Sequence, residues 1–354
     1  MWEASLTQED SKKIKGIAII MMMFHHLYAY PAWWKFEYSL PICKWISIDK
    51  IAILGEVMKI CIPIYAFLSG YGFFLSFRGK GARELLSKTR TKILKILINY
   101  WIILFPIAVI VFLWQRGVWD LKRVICNLFG FGELLMPFAW YIGFYLITLS
   151  SYSCVYLIIS RIEYFKLKLY VGIAYIVLCR IGYYWLSADH QRMLPTIISQ
   201  ILIYSPYIVL GSICAAIKLK LDMSDCIIKL KYRNTVHFFA IIGCLIVKIL
   251  LKGSTVLDIL LVPVLIYGFL YMIKTINSVK IDKILIFLGN HSFNLWMLHG
   301  ICFVWKFPFY KELQTIIYFP RLIIAILIWY IILMLPFSSC VSECNKRIVK
   351  KLNI

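Results

Sequence analysis

Acidic side chains are scarce in this sequence. It holds 17 Asp and Glu against 39 Lys and Arg, and charged residues of both signs make up only 16% of 354 positions. Soluble domains carry about a quarter charged residues. A soluble fold of this length could not hide from water the 62% of residues that are hydrophobic. The net charge of +22 has no separate basic domain or aromatic-interleaved patch behind it, so nucleic acid is not an expected partner. The 11 cysteines are scattered, mostly inside apolar runs. Without a Cys-x-x-Cys or a Cys/His cluster they predict no metal site and no redox pair, and they read as small core hydrophobes. Cys43 and Cys126 fall in loops on one side, which leaves a single disulfide between them open. No small-x-small cleavage site follows the first apolar run, Ile14 to Tyr30, so that run reads as a retained span rather than a removable signal. No internal repeat suggests the inverted halves of many secondary transporters. No low-complexity linker or soluble domain interrupts residues 1–354, which read as one membrane unit.

What is present is a series of apolar stretches, each long enough for a hydrocarbon core of roughly 30 Å. They fall at Ile14–Tyr30, Ile51–Phe77, Ile93–Trp114, Trp140–Ile159, Leu169–Ser187, Pro195–Ile217, Thr235–Leu251, Val256–Ile273, Ile284–Val304 and Ile316–Phe337. The expected fold class is all-α: a polytopic protein of the cell membrane with about ten transmembrane helices. Lys and Arg alternate with it, since the loops on one side hold more than twice as many as those on the other. By the positive-inside rule the richer side, with both termini and the Arg78–Lys92 loop, is cytoplasmic.

Ionisable groups inside spans are costly and commonly functional or paired. The first span carries His25 and His26. Successive helical residues point about 100° apart, so the two cannot do the same job. Lys15 and His26, eleven apart, share a face within roughly 20° and lie about 16 Å apart along the axis. A histidine at that depth also fits plain snorkelling to the headgroups. In the ninth span Ser292, Trp296 and His299 form one stripe, with His299 at a depth similar to His26. A polar stripe packed into the bundle core fits the same spacing. His291 reads as a cap-region residue near a helix start. Glu56 and Lys59, three apart, are expected to neutralise each other. Arg180, Lys248, Asp258 and Arg321 have no partner legible in the sequence.

Four sequence elements resemble a known family. Lys15-Gly16-Ile17-Ala18 followed by His26 is similar to its opening Arg-Gly-x-Ala…His signature. Phe67-Leu68-Ser69-Gly70-Tyr71 is similar to its Phe-x-Ser-Gly-Tyr/Phe segment. Trp140-Tyr141 and Leu288-Gly289-Asn290-His291-Ser292 through Trp296-Met297-Leu298-His299 resemble its Trp-Tyr and Leu-Gly-x-x-Ser…Tyr-Leu-x-His elements. The family is acyltransferase family 3, integral membrane O-acyltransferases of cell-surface glycans. The resemblance implies transfer of an acyl group, usually acetyl, from acyl-coenzyme A to a sugar hydroxyl of a glycan or its lipid-linked precursor. Acyl-CoA is then a donor substrate, and no permanently bound cofactor is implied.

The resemblance casts His26 as the catalytic base, with His25 at a variable position. Imidazole has a pKa suited to taking a hydroxyl proton. His299 joins it as a catalytic candidate, with Trp140 and Ser292 as substrate-binding candidates. Ser69 and the backbone at Gly70 are candidate oxyanion donors, although a Ser-Gly pair equally serves close helix packing. The phosphates of coenzyme A call for cations on the cytoplasmic side: Lys15, Arg78, Lys92 and Lys95. Plain positive-inside charge covers many of the same residues. Two departures stand out. Lys12 and Lys13 replace an acidic residue of the family, and lysine replaces arginine at Lys15, Lys92 and Lys95, which loses bidentate phosphate recognition. A transporter or exporter of a glycan precursor or small solute, using the in-span charges as a path, is the competing expectation.

Overall fold

The computed structural model describes residues 6–30, 47–114, 121–131, 139–188, 196–222, 233–255, 257–303, 309–320 and 322–353. The described residues form helices and contain no strand. In order they are α1 (Gln8–Tyr28), α2 (Ile48–Met58), α3 (Cys61–Phe77), α4 (Ala82–Trp114), α5 (Leu121–Leu128), α6 (Trp140–Ser160) and α7 (Phe165–Ala188). There follow α8 (Thr196–Asp222), α9 (Arg233–Leu250), α10 (Asp258–Ile276), α11 (Val279–His299), α12 (Tyr310–Ile317) and α13 (Ile323–Lys351), with a 3-10 turn at Gly300–Phe303 after α11. Cys43, whose pairing with Cys126 the sequence left open, lies outside the described residues, as does Arg321.

Among the described residues seven helices, counting α2 and α3 as one rod, are long and apolar enough to cross a membrane: Ile48–Phe77, α4, α6, α7, α8, α10 and α13. Their apolar side chains face outward in number, α7 most of all, with Leu178 66% and Trp185 75% exposed. Outward apolar surface on this scale belongs against lipid. The chain is a membrane protein.

Helices α1, α9 and α11 fall outside the seven. Helix α1 opens on six polar or charged residues, Gln8 to Lys13, and α11 carries Lys280, Asp282 and Lys283 in its first turns. These two polar helices are nonetheless at the centre. Ile14, Ala18, Ile19, Met22 and Met23 of α1 are fully buried, as are Leu295 and His299 of α11. Thr7 caps α1 reciprocally with Asp10, which satisfies two orphan backbone donors.

Paired glycines bring the central helices together. A Cβ on Gly16 would stand 2.3 Å from the Leu285 carbonyl oxygen, and one on Gly289 would stand 2.0 Å from that of Lys12. Helices α1 and α11 therefore cross backbone to backbone, the approach that small residues allow in membranes. The two run in the same direction, since Lys13 reaches Asp282 at one end and the His26 ring meets that of His299 at the other. Gly70 of α3 and Gly211 of α8 repeat the device: their Cβ atoms would fall 1.8 Å from Ile208 O and 2.1 Å from Phe67 O.

Three expectations shift in the structure. The rod predicted over Ile51–Phe77 is interrupted between Met58 and Cys61. Pro63 supplies no N–H to the Lys59 carbonyl, which instead accepts from the Ile62 N–H at 3.1 Å. The stretch Ile316–Phe337 is two helices, because Pro320 cannot continue α12; α13 then runs on to Lys351. The basic loop expected before the third span is mostly helix: only Arg78–Gly81 turns, and Lys88, Lys92 and Lys95 ride on α4.

In-span charges resolve in part. Lys248 and Asp258, each about 1% exposed, pair at 2.8 Å. Lys248 also donates to the carbonyls of Gly253 at 2.9 Å and Ser254 at 2.8 Å, closing the turn between α9 and α10. Arg180 donates to the Tyr207 hydroxyl and lies over its ring. Glu56 and Lys59 form no ion pair with each other, for the α2–α3 break follows directly at Lys59.

Candidate active site

At one end of the α1–α11 pair sit three histidines. The rings of His26 and His299 lie 4.7 Å apart at 40°, and that of His25 is 4.8 Å from His26. The two neighbours in sequence differ sharply in their surroundings. His25 is 2% exposed and its Nδ1 is 2.9 Å from the Gly55 carbonyl oxygen, pinning α2 to the end of α1. His26 keeps part of its surface open. His299 is fully buried; its Nδ1 lies 3.2 Å from Leu295 O, and its own carbonyl accepts from the Tyr330 hydroxyl at 2.6 Å. The end of α1 is tied down likewise, by Tyr28 to Ile323 O at 2.8 Å and by Tyr318 to Leu27 O at 3.0 Å. His26 is thus a half-buried residue on a fixed backbone, its Nδ1 turned inward.

The other end of the same helices borders a cavity of about 340 Å³. Lys15, Lys92, Lys95 and Asn345 line its basic end; Tyr65, Ser69, Tyr141, Ser292, Trp296 and Met297 line its depth. Trp296 stacks on Tyr141 at 4.5 Å and meets Tyr65 at 5.0 Å, forming an aromatic ceiling. Trp296 precedes His299 by three residues on α11, so the ceiling lies about 4.5 Å below that imidazole along the axis. Lys92 is steadied over the Phe73 ring at 4.4 Å.

Of the residues singled out in the sequence, Lys15, Ser69, Lys92, Lys95 and Ser292 meet at this cavity, and His26 and His299 meet beyond its ceiling. Three go elsewhere. Gly70 faces α8, where its carbonyl accepts from the Ser212 hydroxyl at 3.0 Å. Trp140 stacks on Tyr204 of α8 at 5.4 Å, and it is the adjacent Tyr141 that lines the cavity. Arg78 lines a different cavity, between α6 and α7. His291, expected near a helix start, sits midway along α11 and bonds Ser338 of α13 at 2.8 Å.

Hydroxyl donors at the cavity are already engaged, the two serines within their own helices and Tyr65 across to α1. Ser69 donates to Tyr65 O and Ser292 to Gly289 O, both at 2.8 Å, and Tyr65 donates to Lys15 O at 3.1 Å. In this state the serines present lone pairs to the cavity.

Sequence reasoning missed Asn99, whose Nδ2 donates to Asn294 Oδ1 at 2.6 Å while the residue lines the cavity. Its signal was available: Lys92, Lys95 and Asn99 are spaced three and four apart, one helix face. Lys13 was the other omission. It is buried and pairs with Asp282 at 2.6 Å and Glu9 at 3.2 Å, so its acid partners come from α11 and from α1 itself.

No group of three or more His, Cys, Asp or Glu among the described residues is placed to hold a metal ion. No curated protein and no solved structure matches the chain. The acyltransferase domain family matches it over residues 14–341, a range that takes in the three-histidine cluster and the three lysines at the rim of the cavity. By that match, across nearly its whole length, the chain belongs to acyltransferase family 3 and is a membrane acyltransferase.

Proposed function

We propose that the chain is an O-acyltransferase moving an acyl group, acetyl by default, from acyl-coenzyme A to a hydroxyl of a cell-surface or exported saccharide. The observation behind this reading is the cavity that begins at Lys15, Lys92 and Lys95 and ends at Trp296, one helical turn from His299 and its neighbour His26. The lysines suit the phosphates of the donor as point charges. The aromatic depth suits its slender arm, and the partly open His26 suits an acceptor arriving from the opposite end.

In this reading the acceptor hydroxyl gives its proton to His26 as its oxygen bonds to the thioester carbonyl carbon. The C–S bond then breaks, and the departing thiolate takes up the proton from His26. His299, ring to ring with His26, orients the acceptor. Helices α1, α2–α3, α4, α6 to α11 and α13 make ten crossings of the cell membrane in this reading, with both termini cytoplasmic, which the distribution of Lys and Arg supports. In a scan with an impermeant thiol reagent, Gly81→Cys at the open α3–α4 turn stays unlabelled in intact cells, and exposed Lys311→Cys labels above the parental background. The reverse pattern would invert the topology.

The reaction is tested on purified protein in detergent. An acyltransferase releases coenzyme A thiol from acetyl-CoA, slowly to water and faster with acceptor glycan; a transporter or exporter releases none. Lys92→Gln with Lys95→Gln should raise the apparent KM for acetyl-CoA about tenfold or more, since each charge-assisted contact contributes on the order of 1.5–3 kcal/mol, discounted for exposure. Unchanged donor dependence in folded protein removes these lysines from the donor site.

A further inference from the structure

Helices α6 and α7 are consecutive in the chain, yet they stand apart. Each packs on α8 rather than on the other, and a groove of about 510 Å³ opens between them at the basic end of the bundle. Its walls are apolar, with Val155 and Ile159 on α6, Leu169 on α7 and Ile213 on the α8 floor. The flanking faces point outward, Val155 at 46% and Ile158 at 67% exposed. At its mouth stand two cations, Arg78 and Lys168. Neither forms an ion pair among the described residues, although Glu163 is exposed in the adjoining turn.

In a bilayer a lateral apolar gap between two spans is filled by hydrocarbon, and each buried CH₂ favours that filling. Two unpaired cations beside the gap select a negative charge at headgroup level, where basic residues attract anionic lipids. We propose that this groove is a binding site for an anionic phospholipid, one acyl chain lying between α6 and α7 and the phosphate held by Arg78 and Lys168. The groove shares no lining residue with the lysine-rimmed cavity, so its occupant is not the acyl donor. It opens at the end away from His26, so its occupant is not an acceptor presenting its reacting hydroxyl.

The test uses full-length protein, delipidated in detergent and offered equal amounts of phosphatidylglycerol and phosphatidylcholine, with retained lipid read by native mass spectrometry. Wild type keeps phosphatidylglycerol preferentially. Arg78→Gln with Lys168→Gln weakens that retention roughly tenfold or more and leaves the small phosphatidylcholine signal unchanged. Val155→Trp, which fills the groove and keeps both cations, lowers phosphatidylglycerol retention as well; if either variant fails to fold, the other decides. Equal retention of the two lipids, or full retention in a folded variant, overturns the site. Displacement of the lipid by coenzyme A also overturns it, and would instead extend the donor site to Arg78.

Discussion

His26→Ala is expected to lower acyl transfer about 10²–10⁴-fold, the usual share of general acid–base catalysis, with folded protein still recovered. The residue keeps part of its surface open, although its Nδ1 is buried. His26→Gln should not restore the rate, because an amide can hydrogen-bond but cannot take a proton. His299→Ala should fall between wild type and His26→Ala. His25→Ala should behave differently in kind. It deletes a buried ring and its 2.9 Å contact with Gly55, at about 1–3 kcal/mol of stability for the carbonyl left unmet. The molecules that fold should keep much of the rate. Transfer to isolated glycan, normalised to folded protein by size-exclusion, separates these effects. A dead His25→Ala beside a near-normal His26→Ala would reverse the assignment.

The largest stability effect is expected at Lys248. Lys248→Met removes a cation that holds Asp258 and two turn carbonyls in a buried site. An uncompensated buried carboxylate costs roughly 3–5 kcal/mol. The predicted result is a large fall in detergent melting temperature and in the yield of monodisperse protein. Adding Asp258→Asn to Lys248→Met should recover much of the loss, since removing both charges ends the imbalance. No recovery in the double variant would mean that the pair is not the source of the effect.

The sequence carried more of this molecule than its low charge content suggests. The apolar runs marked the long helices because lipid demands length and hydropathy together. The stripe of Ser292, Trp296 and His299 was readable because helical spacing is fixed. The glycines of the four sequence elements were visible too, but not their use: that Gly16 meets Leu285 and Gly70 meets Ile208 depends on which helices cross. Pairing was hidden for the same reason. Lys13 reads as a departure until Asp282 is seen beside it, and Arg78 reads as a donor ligand until α6 and α7 are seen to part. Trp140 and Tyr141 show the limit most plainly. Adjacent residues on a helix point about 100° apart, and only the packing of α8 settles which of the two meets the cavity.

The parallel pairing of α1 with α11 also bears on how the protein is made. Lys13 and Asp282 are 269 residues apart in the chain. At about 5–20 residues per second, roughly fifteen to fifty seconds of translation separate the two ends of that contact. During that interval α1 waits in the membrane with Lys13 lacking its Asp282 partner and with the backbone at Gly16 uncovered, while the intervening helices insert. A ribosome that stops before Asp282 leaves a product with His26 but no His299 and no cavity ceiling. Such a fragment therefore lacks the paired histidines that the finished protein brings together.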